Sequence, residues 1–345
     1  MRRMNPRSTF RRALLPALVL ALVLAGADGV LPPAPSAAAP VPADSSAAPA
    51  ESTRTAPPYT LVAEKSFGGF GVGAGQLSAP TGVAVDPLGR ILIADSGNHR
   101  IERFDSSGVF VGEFGGFGYD DNRFDRPTSL FVGGTLGVWV LDQGNARVVK
   151  YDLEGRLLGI VVDLRSDQMR AKLGIVEPGG LSADRGGELY ITDLAADRVI
   201  VFDPLGAVVG EWGGFGAQPG RFAKPGGVAV DARGRLLVGD AGNRRVQLLD
   251  SFGGSVTQYP LDPEMTGKGG IAVAFGPDSV WAMVDRASGR IAVRTLDGVT
   301  LARWAPLAKG DPRPGAVAFD DGGRLLVTDA RASKVTRFRR VPAAP

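Results

Sequence analysis

One signature recurs six times along this chain: an Asp followed five residues later by Arg or Lys and then by Ile or Val. It reads Asp95/Arg100/Ile101, Asp142/Arg147/Val148, Asp193/Arg198/Val199, Asp240/Arg245/Val246, Asp285/Arg290/Ile291 and Asp329/Lys334/Val335, with successive Asp residues 44 to 51 positions apart. Two unrelated markers keep the same frame. A Pro opens each unit (Pro80, Pro127, Pro178, Pro225, Pro314), with Lys268 at the fifth position, and a large residue falls late in each: Phe67, Phe114, Val161, Trp212, Tyr259 and Trp304. A period of this length restricts the chain to repeat architectures, solenoids or propellers, in which each unit covers the apolar face of the next.

Within a unit the apolar runs are short, β-rich and separated by turn residues, the pattern of strands. In the first unit, strand A is expected at 82–86, B at 90–94, C at 100–104 and D at 109–114. The A-to-B turn reads Asp-x-x-Gly at Asp86 to Gly89, Asp184 to Gly187, Asp231 to Gly234 and Asp320 to Gly323. There the Asp bonds forward to turn N–H groups and Gly takes the left-handed position. No segment shows the helical periodicity an α/β solenoid needs. Four antiparallel strands per unit predict an all-β, six-bladed propeller of four-stranded blades. The last unit lacks a strand D, whereas 60–67 is a strand D with no unit before it. The N-terminal strand is therefore expected to complete the C-terminal blade and close the ring. A closed ring leaves no full-length edge strand, so a monomer is expected.

At this point the residues resemble a family. Phe67-Gly-Gly-Phe-Gly71, Phe114-Gly-Gly-Phe-Gly118 and Trp212-Gly-Gly-Phe-Gly216, the following Gly-x-[Leu/Phe]-x-x-Pro, Gly82-Val-Ala-Val-Asp86 and Asp95-Ser-Gly-Asn-His-Arg-Ile101 are similar to NHL-repeat propellers, as in exported bacterial NHL-repeat proteins. The resemblance covers six units; units two and five depart from it by lacking the Gly-Gly-Phe-Gly loop. It implies function at the mouth of the central channel, on the face of the B–C and D–A loops. In six-bladed enzymes of the gluconolactonase, amidating-lyase and strictosidine-synthase-like kinds, it implies a metal or acid/base group near the axis.

The N-terminus adds a compartment. Arg2, Arg3, Arg7, Arg11 and Arg12 precede an apolar run from 13 to 25, and Ala25-Gly26-Ala27 has leader-peptidase spacing, so 1–27 reads as a signal peptide. Residues 28–58, rich in Pro, Ala and Ser, read as a disordered tether, and 59–345 as the propeller. Export to the periplasm or outside is expected, with an uncleaved anchor as the alternative and no other membrane association. Cleavage removes five arginines and turns the formal charge from +3 to −2, which argues against a nucleic-acid partner. The chain has no Cys, so disulfides and thiolate chemistry are excluded.

Candidate chemistry is sparse. The pairs Asp95/Arg100 to Asp329/Lys334, repeated around a ring, fit a structural role. The residues that open strand A (Thr81-Gly82, Thr128-Ser129, Gly179-Gly180, Gly226-Gly227, Gly269-Gly270, Gly315-Ala316) supply backbone and hydroxyls and no acid, base or ligand. His99 is the sole histidine, which excludes multi-His zinc chemistry. Asp120, Asp121 and Asp125 with Asn122 do not match an EF-hand, so no metal or other cofactor is expected. The glycine loops lack a phosphate-loop Lys and a following helix. Trp139, Trp212, Trp281 and Trp304 lie in strand frames and are expected to pack between blades.

Charge on the loop face is what stands out. Arg244, Arg286 and Arg331 in B–C loops, and Arg123, Arg126, Arg221, Lys224 and Arg313 in D–A loops, outline a basic rim that includes His99. The expected function is a noncatalytic protein- or ligand-binding scaffold of the bacterial cell envelope, meeting a protein or an anionic envelope polymer at this rim. The alternative is a metal-dependent lactonase-like or lyase-like enzyme.

Overall fold

The computed structural model of the protein describes residues 57–133, 137–306 and 313–343. It is an all-β propeller of four-stranded antiparallel blades, and the repeat units of the sequence are its structural units. Unit one is Pro80–Val85, Ile91–Asp95, Arg100–Phe104 and Phe110–Gly115, paired in that order, and units two to four repeat it from Pro127–Gly133, Pro178–Ala183 and Pro225–Val230.

The sheet count differs from the expected six separate ones. Four sheets have four strands, and one has eight. In the eight-stranded sheet, unit five (Ile271–Phe275, Val280–Asp285, Ile291–Thr295, Thr300–Trp304) lies edge to edge with unit six (Pro314–Phe319, Leu325–Asp329, Lys334–Pro342) through the N-terminal strand Tyr59–Gly68. That strand runs antiparallel to Lys334–Pro342 from Tyr59/Pro342 to Gly68/Lys334. Its first residues overhang the blade, and Tyr59 and Thr60 pair in parallel with Ala302 and Arg303. The weld is two residues long because the N-terminal strand is longer than the other fourth strands.

Closure is carried by packing. The first strands of successive units neighbour one another around a full cycle, with Pro314–Phe319 against Pro80–Val85. Each buried apolar cluster joins two consecutive units: Leu92, Ala94 and Ile101 pack with Val138, Val140 and Tyr151, and Leu326, Val335 and Phe67 pack with Ile91, Ile93 and Phe104. Second strands are covered on both faces, so Ile91–Asp95 is buried at all five positions. This is why the runs read as continuous apolar stretches rather than alternating ones. The tryptophans belong to this packing: Trp281 lies 4.8 Å from the Tyr259 ring, Trp212 5.7 Å from Tyr190 and Trp304 5.1 Å from Phe338.

Two local features correct the sequence reading. In unit two Val162, not Val161, stands opposite Val148, because register shifts in the Leu157–Asp163 pairing advance the strand by one residue. A helix, Asp167–Leu173, capped by the Ser166 hydroxyl, replaces the missing Gly-Gly-Phe-Gly loop before unit three. Its Leu173 is buried, as is Met265 before unit four's successor, where the glycine loops bury Leu77, Phe124 and Phe222. The Asp-x-x-Gly turns form as expected, with Asp86 Oδ1 accepting the N–H groups of Leu88 and Arg90 at 2.9 and 2.8 Å and Gly89 at φ 75°.

Candidate functional site

The repeated Asp and Arg hold the D–A loops to the blades. Asp240 is fully buried, and its carboxylate accepts the Ala223 N–H at 2.8 Å, the Asn243 amide at 2.9 Å and Arg245 Nε at 2.6 Å. Arg245 then donates to the carbonyls of Ala217, Gln218 and Arg221 at 2.7, 3.1 and 2.8 Å. Units one and two repeat the arrangement, with Arg100 on Val72, Gly73 and Gln76 and Arg147 on Tyr119, Asp120 and Arg123. The ion pairs measure 3.1 Å for Arg100–Asp95, 2.9 Å for Arg147–Asp142 and 2.9 Å for Arg198–Asp193. Burial nonetheless raises the Asp95 and Asp142 carboxyls above the usual range, against the lowering effect of their hydrogen bonds and of the neighbouring arginines.

The expected pairing does not hold in every unit. Arg290 turns away to Glu264 at 2.6 Å, and Asp285 instead takes the Thr266 N–H at 2.6 Å and the Ser288 hydroxyl at 2.7 Å. Ser288 stands in place of the Asn that bridges carboxylate and loop in units one, two and four, and its hydroxyl is a local partner for Asp285. In unit six Asp329 and Lys334 are register partners, and the carboxylate accepts the N–H groups of Arg331 and Ala332.

These clamps shape a mouth where the first strands converge. A cavity of about 1150 Å³ opens there over Thr81, Thr128, Gly179, Gly226, Gly269 and Gly315. Glycine is required for the strands to meet: a Cβ on Gly315 would lie 2.5 Å from the Thr81 Cα, and one on Gly227 2.7 Å from the Ile271 carbonyl. Five basic residues line the cavity, Lys224, Arg244, Lys268, Arg286 and Arg313, and among the described residues no carboxylate does. Below it a throat of about 70 Å³ continues between the first strands, and Thr81, Thr128 and Arg286 line both spaces.

The basic rim read from sequence is thus divided. Lys224, Arg244, Arg286 and Arg313 come together at the cavity, whereas His99, Arg123, Arg126, Arg221 and Arg331 are not among its lining. Arg123 and Arg221 bend back onto the carbonyls of Gly115 and Gly213 and brace their own loops. His99 accepts the Arg126 N–H on Nδ1 at 3.1 Å, sits 3.5 Å from Asp125 and packs on Phe117 at 4.8 Å. Lys268 joins the cavity although it served only as a repeat marker in the sequence; its place in the opening-Pro frame was the available signal. The glycine loops close on themselves, Gly71 N–H to Leu77 carbonyl and Leu77 N–H to Gly69 carbonyl at 3.1 and 2.7 Å, which uses the amides a phosphate cradle needs. Among the described residues no group of three or more His, Cys, Asp or Glu is placed to hold a metal.

Sequence reading also missed Glu102. Its side chain is fully buried, 2.7 Å from Arg100 Nη2, yet neither carboxylate oxygen has a well-directed side-chain hydrogen bond. Burial pushes its carboxyl up to about 7 despite the Arg100 charge. The available signal was a lone Glu at a strand position whose counterparts are the apolar Val149, Ile200 and Ala292 and the neutral Gln247 and Thr336.

Comparison with known proteins agrees with this geometry. The NHL repeat model matches residues 77–104 and 222–247. The B-box type zinc finger protein ncl-1 of Caenorhabditis elegans is 54% identical over 44 residues, 13% of this chain and 5% of that protein. Protein brain tumor of Drosophila melanogaster is 52% identical over 44 residues, 13% of this chain and 4% of that protein. This chain therefore spans only a small part of the curated relatives it matches. Among solved structures, a streptogramin B lyase superposes with a TM-score of 0.58 at 16% identity, over 82% of this chain and 98% of that one. A catalytically inactive virginiamycin B lyase from Staphylococcus aureus with quinupristin gives 0.55 at 16% identity, over 82% and 88%; at that identity the likeness is one of fold. The chain therefore carries NHL repeats, recognised in two of its units, on a β-propeller fold.

Proposed function

We propose that this protein is a noncatalytic binding module that docks an acidic protein partner on the channel face. The observation that carries the reading is the concentration of five basic residues on one cavity with no lining carboxylate among the described residues. A mouth of one sign set among low-dielectric walls concentrates its potential and draws oppositely charged partners. We count the eight-stranded sheet as two blades welded at their edges, which makes the ring six-bladed. We also propose that the chain is exported and acts in the bacterial envelope; 1–27 and most of 28–58 lie outside the described residues, and the N-terminal sequence of the secreted protein should begin at Asp28.

The test is capture from envelope extract by the immobilised full chain and by a Lys224→Glu/Arg244→Glu form, with each captured protein then purified and titrated. An acidic protein that binds the first at least tenfold more tightly than the second, with both forms equally folded, is expected. Equal binding by both would remove the channel face from the interaction. An RNA oligonucleotide that displaces the partner, with affinity falling steeply in salt, would overturn the acidic-protein reading. A stoichiometric divalent ion in the purified protein, coupled to lactone hydrolysis or elimination, would overturn the noncatalytic one.

A further inference from the structure

Among the described residues Arg286 is the one basic residue of the mouth that reaches the throat, since it lines both the outer cavity and the narrow channel beneath. Its backbone N–H donates to the Gly270 carbonyl at 3.2 Å, and its guanidinium lies over Gly270, 3.7 Å from where a Cβ would stand. Nε is buried without a hydrogen-bond partner, and among the described residues no carboxylate pairs with the side chain. Among the described residues the buried arginines all have a carboxylate beside them: Arg100, Arg147 and Arg245 each hold an Asp and two or more loop carbonyls, and Arg294 and Arg337, whose Nε atoms also lack a hydrogen-bond partner, lie 2.7 Å from Asp262 and 3.8 Å from Asp320. A second polar group in the same place is also unsatisfied. Thr128 Oγ1 is buried with no partner, and Thr128 is among the residues lining both spaces.

An unpaired cation and an unpaired hydroxyl on residues that border one small space are costly unless something satisfies both. We propose that Arg286 and Thr128 seat a single carboxylate at the throat of the channel, the acidic tip of a ligand whose body rests in the mouth. A guanidinium fork matches a carboxylate in plane and spacing. One positive charge beside a neutral hydroxyl balances a monoanion, whereas a phosphate dianion would remain half-compensated. The throat, at about 70 Å³, admits a carboxylate and little more. Burial lowers the Arg286 pKa with no neighbouring acid to restore it, consistent with a cation awaiting its counter-charge. The inference rests on the channel mouth being the working face, and it adds the chemical group that is read there.

The full chain is titrated with acetate, succinate and inorganic phosphate at constant ionic strength, and with a tetrapeptide bearing either a free C-terminal carboxylate or an amide, by calorimetry and thermal melting. Saturable binding of acetate is expected, with phosphate weaker. Preference for the peptide acid over its amide assigns the carboxylate to a protein terminus, and equal binding of acetate and succinate with no peptide binding assigns it to a small molecule. Arg286→Met should lose at least tenfold in acetate affinity while melting no lower than the parent, because it removes an unpaired buried charge; Thr128→Val should lose about threefold. Acetate titration reads the throat with no protein partner present, and capture reads the mouth, so protein docking and the throat site can fail separately. Asp311 lies outside the described residues, and Asp311→Asn should leave acetate affinity unchanged. No saturable acetate response, an unaltered response in Arg286→Met, tighter phosphate than acetate, or a tenfold gain in Asp311→Asn would each overturn the proposal.

Discussion

Asp240→Ala should destabilise the protein by about 3–5 kcal/mol, the range for removing one partner of a buried ion pair. The cost arises on both sides of the lost carboxylate. Arg245 remains buried with its charge no longer compensated, and the Ala223 N–H, which leads the chain into the first strand of unit four, loses its acceptor. Asn243 and Gln247 also donate to this carboxylate. Urea unfolding followed by tryptophan fluorescence measures the loss, provided the transition stays two-state. Asp329→Ala is the internal comparison. That carboxylate is half-buried and faces a Lys, and its removal should cost roughly 1 kcal/mol, as for an ordinary hydrogen-bonded group. Equal losses at the two positions, or an unchanged midpoint for Asp240→Ala, would mean that the signature is not a clamp.

The same contrast shows what the sequence could and could not reveal. Asp, Arg and the opening Pro were readable because each blade solves one geometric problem, tying a crossing loop to the end of its second strand. Repetition turned that solution into a period. Unit five was misread at Arg290 because identity at the repeat position concealed a change two residues earlier, Ser288, which alters who holds Asp285. The helix Asp167–Leu173 was invisible for a related reason: it is seven residues long with one buried position, too short for helical periodicity to stand out. The weld between units five and six depends on two residues of overhang in the N-terminal strand, a matter of three-dimensional reach. At the site, sequence placed the basic residues on one face but could not separate those that line the cavity from Arg123 and Arg221, which fold back onto their own loops. The solitude of Arg286 is a property of its neighbours, which no reading of single residues exposes.

Glu102→Gln should make the protein more stable above neutral pH, by up to about 3 kcal/mol at pH 8. Burial moves this carboxyl from its ordinary 4.5 to about 7 in the folded protein, and each tenfold difference in proton affinity between folded and unfolded chains is worth about 1.4 kcal/mol. Below 4.5 both states carry the proton and the group costs nothing. Between 4.5 and 7 the unfolded chain ionises while the folded one does not, so stability falls as pH rises, and above 7 the full cost persists. A neutral amide removes the cost without changing shape. Unit four already carries out the substitution: Gln247 occupies the equivalent place beside Arg245, accepts the Gly220 N–H at 3.0 Å and donates to Asp240 and to the Arg221 carbonyl. Melting temperatures of the parent and Glu102→Gln should coincide near pH 4.5 and diverge by roughly 5 °C at pH 8. A variant that tracks the parent across the whole range would show that Arg100, 2.7 Å away, keeps Glu102 ionised with no net cost. The carboxylate would then belong to the clamp of unit one as a working fourth member, and its replacement by Gln in unit four would be a matter of indifference to the fold.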